Sequence, residues 1–122
     1  MKIKTSAGEF FDKITILFIK INKIDDLTKK HAAQTELSYL LKQQSSSLNN
    51  QQYKVLQQLH LTNQLLWFVE DQIRLKEKQK LFDDHFISLA RLVYILNDIR
   101  FVHKNKLNLL LNSTLHEVKS YK

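Results

Sequence analysis

Leu89-Ala-Arg-Leu-Val-Tyr-Ile-Leu-Asn-Asp-Ile-Arg100 belongs to a row in which Phe86, Leu89, Val93, Leu96, Arg100, His103, Leu107 and Leu110 recur at alternating steps of three and four. That is the period of one helix face, not of a strand. Asp83 or Asp84 supplies the N-cap, so a helix is expected over 84–111. Upstream, Leu56, Leu59, Leu66, Val69 and Ile73 give a second helix over 51–80, after a Gln/Ser/Asn-rich linker at 43–50. Ser6-Ala-Gly-Glu9 has the spacing of a capping box and starts the first helix near Ala7. Ile14–Ile21 is β-branched enough for a buried strand, but nothing nearby offers a hairpin turn or a partner strand. The first helix therefore continues through Leu37, Leu40 and Leu41 to residue 42, with a phase slip around Thr28–Thr35 that drifts out of any coiled-coil register. Short connections make sequential helices antiparallel. The expected fold is all-α: one domain over 1–122, an elongated up-down-up three-helix bundle (7–42, 51–80, 84–111), Asn112 as a left-handed stop, and a short C-terminal tail.

Composition supports a helical domain. The 122 residues hold one Gly, no Pro and no Cys, which removes hairpin turn chemistry, disulfides and thiolate catalysis. No apolar run approaches a membrane span and no secretory h-region follows Lys2 and Lys4, so the chain reads as soluble and cytoplasmic. The net charge of +7 divides evenly, +4 over 1–61 (nine basic, five acidic) and +3 over 62–122 (ten basic, seven acidic). Its local excess is Arg100, Lys104, Lys106, Lys119 and Lys122 against Glu117. A basic end of this kind meets phosphate weakly, but no RNA-binding aromatic motif or zinc finger accompanies it. His31, His60, His85, His103 and His116 are scattered outside metal-binding spacings, and no phosphate loop exists, so no metal or cofactor is expected.

Polar residues beside the core positions mark where chemistry would lie, because a buried charge is costly unless paired. Pairing about the 81–84 turn sets Glu70 opposite Tyr94 and Trp67 opposite Asn97; pairing about the linker sets Lys20 near Arg74 and Asp12 near Lys80. The candidate ligand site is Glu70, Arg74, Arg91, Tyr94, Asn97, Asp98, Lys20 and Trp67. Arg74 and Arg91 would fork a carboxylate or phosphate, Asn97 orient it, and Glu70 act as acid or base. The competing reading is a salt-bridge network that fixes helix register.

Gly8-Glu-Phe-Phe-Asp-Lys-Ile-Thr-Ile-Leu17, Leu66-Trp-Phe-Val-Glu-Asp-Gln-Ile-Arg-Leu-Lys-Glu77, Phe82-Asp-Asp-His-Phe-Ile-Ser-Leu-Ala-Arg91, Val93-Tyr94, Asn97-Asp98 and Glu117-Val-Lys-Ser-Tyr121 together resemble a bacterial family of small all-helical proteins of unknown function. The resemblance spans Gly8 to Tyr121, with departures at Leu92, Phe101 and Asn112. It implies no activity; it implies a neighbourhood of carbohydrate-processing enzymes. The helical chorismate mutases, which bind a dicarboxylate with Arg, Lys and Glu, are similar in fold class only. The leading expectation is a non-enzymatic binding or scaffold module. The alternative is a small-anion binder or helical-mutase type of enzyme; the third is a weak nucleic-acid binder. A homodimer is also expected, because the apolar surface on Phe10–Leu27 is wider than two neighbouring helices cover, and because a first helix of roughly 54 Å would overhang a second of roughly 45 Å and expose Phe10–Phe18 or Leu37–Leu41.

Overall fold

A computed structural model describes residues 5–44 and 47–111, and all regular structure among them is helical. There are four helices among the described residues: α1 (Ala7–Lys23), α2 (Leu27–Gln43), α3 (Asn50–Lys78) and α4 (Asp84–Leu110). The second and third expected helices are in place within two residues. The first is two helices, which corrects the three-helix bundle.

The break lies at Ile24-Asp25-Asp26. Ile24 turns extended (φ −88°, ψ 129°), and Asp26 becomes the N-cap of α2 by accepting from the Lys29 N–H at 3.1 Å. Two adjacent carboxylates oppose the dipole at a helix C-terminus and favour it at an N-terminus. One helix therefore ends before them and another starts after them. The phase slip read at Thr28–Thr35 lies inside α2, which is unbroken there; the interruption comes just before it, at residues 24–26.

The break folds α2 back along α1, where Lys13 pairs with Glu36 at 3.8 Å. The backbone of α2 approaches within 8 Å of α1 and of no other described helix. The chain then returns through α3 and α4. Gln52 donates to the Leu110 carbonyl at one end of that hairpin, and Lys76 pairs with Asp83 at the other, so α3 and α4 are antiparallel. Gly8 against Asn108 and Asp12 against Arg100 make α1 antiparallel to α4, hence parallel to α3. The order is up-down-up-down.

Two cores result. The larger joins Phe11, Ile14 and Leu17 of α1 to Ala33 and Leu37 of α2, Val55 and Leu59 of α3, and Leu107 of α4. The smaller, Leu66, Val69, Leu89 and Leu96, belongs to α3 and α4 alone. Helices of 29 and 27 residues are roughly 43 and 40 Å long, against roughly 25 Å for α1 and α2 at 17 each. The α3–α4 hairpin therefore extends past the α1–α2 pair.

Helix N-termini are closed by side chains. Ser6 and Asp83 cap α1 and α4, and Asn49 with Gln52 forms a full capping box on α3. Glu9 leaves the expected box at Ser6 half made, because its carboxylate pairs with Lys104 instead. α3 ends in a Schellman turn: Lys80 donates to the Glu77 carbonyl and Leu81 to that of Lys76, with Lys80 left-handed at φ 57°. The expected stop at Asn112 and the C-terminal tail lie outside the described residues. No described helix is long and apolar enough to cross a membrane.

Candidate functional site

The buried polar groups converge where α1 crosses α3 and α4. Asp12 points into the bundle at 3% side-chain exposure. Arg100 grips it as a fork, Nε to Oδ1 at 2.9 Å and Nη2 to Oδ2 at 2.5 Å. Asn63 of α3 donates to the same Oδ1 at 2.9 Å and to the Thr15 hydroxyl at 2.7 Å. That hydroxyl in turn donates to the Asp12 carbonyl at 2.8 Å. Asn97 accepts from Arg100 Nη1 at 3.4 Å. One carboxylate thus ties three helices together.

A second set lies one turn away. The first-turn N–H groups of a helix have no partner within it. Gly8 solves this across the interface by donating to Asn108 Oδ1 at 2.7 Å. Beside it, Glu9 pairs with Lys104, whose side chain is buried. Glycine is required at residue 8 by proximity. A Cβ there would overlap the Lys104 carbonyl oxygen and lie 2.8 Å from the carbonyl carbon.

Chemically, this arrangement is a brace. The bidentate fork and the Asn63 bond occupy the Asp12 carboxylate, and Asp12 lines neither described groove. The larger groove, about 610 Å³ between α1 and α3, is mainly apolar, with Phe18, Tyr53 and His60 along it. The smaller, about 300 Å³, lies between α1 and α2. Among the described residues, no group of three or more metal-ligating side chains comes together.

The residues expected from sequence fall in several places. Asn97 joins the Asp12 network through Arg100. Lys20 lines the α1–α2 groove with Lys29 and Glu36. Asp12 meets Asn63 and Arg100 rather than Lys80, because the break at residues 24–26 reverses the register that an unbroken helix would have set. Arg74 is held on its own helix by Asp71 at 3.2 Å and Glu70 at 3.8 Å. Arg91 and Tyr94 are exposed on α4, Trp67 is half-buried on α3, and Asp98 is half-buried on α4. Of the basic residues behind the nucleic-acid reading, Arg100 and Lys104 turn inward onto carboxylates, and Lys119 and Lys122 lie outside the described residues.

Sequence reasoning missed Asn63, Thr15 and Asn108, and missed Arg100 as the partner of Asp12. A signal existed: Asn63 interrupts the α3 row between Leu59 and Leu66, as Arg100 interrupts the α4 row. A polar group in an apolar row demands a buried partner.

Two titrations stand out. Burial, and then the nearby Lys106 charge, push the His103 imidazole below its ordinary range; its Nδ1 is buried without a hydrogen-bond partner. The Phe86 N–H, and then the Lys76 ammonium, hold the Asp83 carboxyl below the usual carboxylate value.

No family model, curated protein or solved structure matches this chain.

Proposed function

We propose that this chain is a non-catalytic helical binding or scaffold module. The observation that carries the reading is the use of the most buried charge among the described residues: Asp12 is committed to Arg100 and Asn63 across three helices. A group serving as general base must reach a substrate proton, whereas this one holds helices in register. Support comes also from Arg74, the expected anion fork, which already faces two carboxylates of its own helix. Apolar surface is left over instead, along the α3–α4 hairpin. An association with carbohydrate-processing enzymes rests on the family resemblance alone.

Thermal unfolding with phosphate, dicarboxylates and sugar nucleotides separates this reading from the anion-site alternative. The expected result is an unchanged Tm with each. A saturable rise that Arg74→Met or Arg91→Met abolishes would replace the module with an anion-binding protein. As a second arm, tagged wild type and Phe68→Glu are used to capture partners from the native host. Proteins retained equally by both would separate binding from the hairpin surface.

A further inference from the structure

The α3–α4 hairpin has α1 on one side and, on the other, two mainly apolar helix rows that contain no charged residue. On α3 the row is Leu65, Phe68, Gln72 and Leu75, continued by the C-cap Gln79; on α4 it is Ser88, Leu92, Ile95, Ile99 and Val102. Both rows step by three and four. Viewed from the N-terminus of α3, its row lies about a quarter-turn anticlockwise of the stripe facing α4, at 3.6 residues per turn. From the same end, the α4 row lies about a quarter-turn clockwise of the stripe facing α3, by the same geometry. Opposite rotations on facing helices put both rows on one side. Asn63, Lys104 and Asn108, which hold α1, are on the other.

The apolar members are far from buried, from 39% exposed at Leu92 to 59% at Phe68. We infer that this face is the interface with a second copy of the chain, the two hairpins closing into a four-helix core with each α1–α2 pair outside. This rests on the binding-module reading and names its partner.

Three observations select a second copy. First, the surface consists of two antiparallel helices with the three-four repeat of helix-on-helix packing. A two-fold axis lying in the plane of that face sets helices with the same spacing against it, the self-complementarity an isologous dimer needs. Second, neither row carries a charge over about four turns of helix. A chain of net charge +7 repels its own copy wherever charges meet, and this is where they are missing. A partner chosen by opposite charge would meet acceptor charges here, and interface cores are depleted of charge. Third, side chains of this size left about half exposed offer on the order of 600 Å² of apolar surface per copy. A standard interface buries about 800 Å² per partner, rim included.

Sedimentation velocity and light scattering from about 1 to 100 µM test this, with helical circular dichroism as a check on folding. The expected mass is twice 14.5 kDa at the upper concentrations. Phe68→Glu on α3 and Ile99→Glu on α4 should each halve it at unchanged helicity. Gln72→Glu, which exchanges one polar side chain for another, keeps the test readable if either of those unfolds, and should weaken association at least tenfold. A wild-type mass of 14.5 kDa throughout overturns the proposal. So does a dimer that survives all three charges, since its interface lies elsewhere. A monomer that co-sediments with phosphatidylglycerol vesicles through this face also overturns it, a lipid surface then being the occupant. A monomer that retains other proteins only when the face is intact rejects the second copy and leaves the binding-module reading standing. A Tm raised by anions removes that reading without touching the dimer.

Discussion

Arg100 interrupts an apolar row on α4, and its meaning depends on what it leaves behind when removed. In Arg100→Met, Asp12 keeps a charge at 3% side-chain exposure with only Asn63 still donating to its carboxylate. Stranding a buried charge costs about 3–5 kcal/mol, so this variant should lie near the upper end in urea unfolding. In Asp12→Leu the stranded group is Arg100, which is 28% exposed and can turn toward water, so the loss should be smaller. Asp12→Leu with Arg100→Met should regain much of the difference, because Asn63 keeps its bond to Thr15 and no charge is stranded. A double variant as unstable as the sum of the singles would reject the brace. His103 gives a pH test with a definite sign. Its folded value is lowered, so its contribution is present above the ordinary 6.5 and is lost as pH falls through 6.5 toward the folded value. Stability between pH 7 and 5 should fall less in His103→Leu than in wild type; equal slopes would exclude His103 as the cause.

At the scale of elements, the approach of α1 to α4 at Gly8 leaves no room for a side chain. Gly8→Ala drives a methyl group into the Lys104 carbonyl and separates α1 from α4, also stretching the Gly8–Asn108 bond. Overpacking of this kind costs about 1–3 kcal/mol. The end of α3 predicts the opposite sign. Lys80 occupies the left-handed region at φ 57°, where glycine has no Cβ penalty. Lys80→Gly should stabilise by about 0.5–1 kcal/mol despite its greater unfolded-state entropy; a midpoint shift to lower urea would contradict it. These elements were unequally legible. The row from Phe86 to Leu110 and the Asp83 cap were readable because period and cap agree locally. The break before α2 was not, since neither Gly nor Pro marks it, and Asp25-Asp26 acts through the helix dipole rather than through backbone geometry. Missing it made the first helix one long rod and reversed its direction against α3. Arg100 could thus be seen to need a partner, but Asp12 could not be identified as that partner. The same error supplied one of the two reasons for a dimer, the overhang: with α2 folded over α1, Ala33 and Leu37 are buried and no overhanging first helix remains.

For the whole molecule, the long hairpin, the short α1–α2 pair and the charge of +7 set how association should respond to salt. Two copies approaching each other are both cationic, and their repulsion acts over a screening length of about 10 Å at 0.1 M salt and about 3 Å at 1 M. The rows proposed to touch contain no charge, so salt has nothing attractive to screen there. Apolar burial is itself strengthened by excluded salts such as sulfate. Raising NaCl from about 0.05 to 0.5 M should therefore tighten the dimer several-fold, and sodium sulfate should tighten it further. Because only the folded chain presents this face, Tm should also rise with protein concentration in wild type and stay fixed in Phe68→Glu. A complex built on Arg74 or Arg91 with an acidic partner has the reverse response, since screening removes its attraction. Sedimentation equilibrium at two salt concentrations distinguishes them: a dissociation constant that rises with salt would put ion pairs, not the Leu65–Ile99 face, at the centre of the assembly.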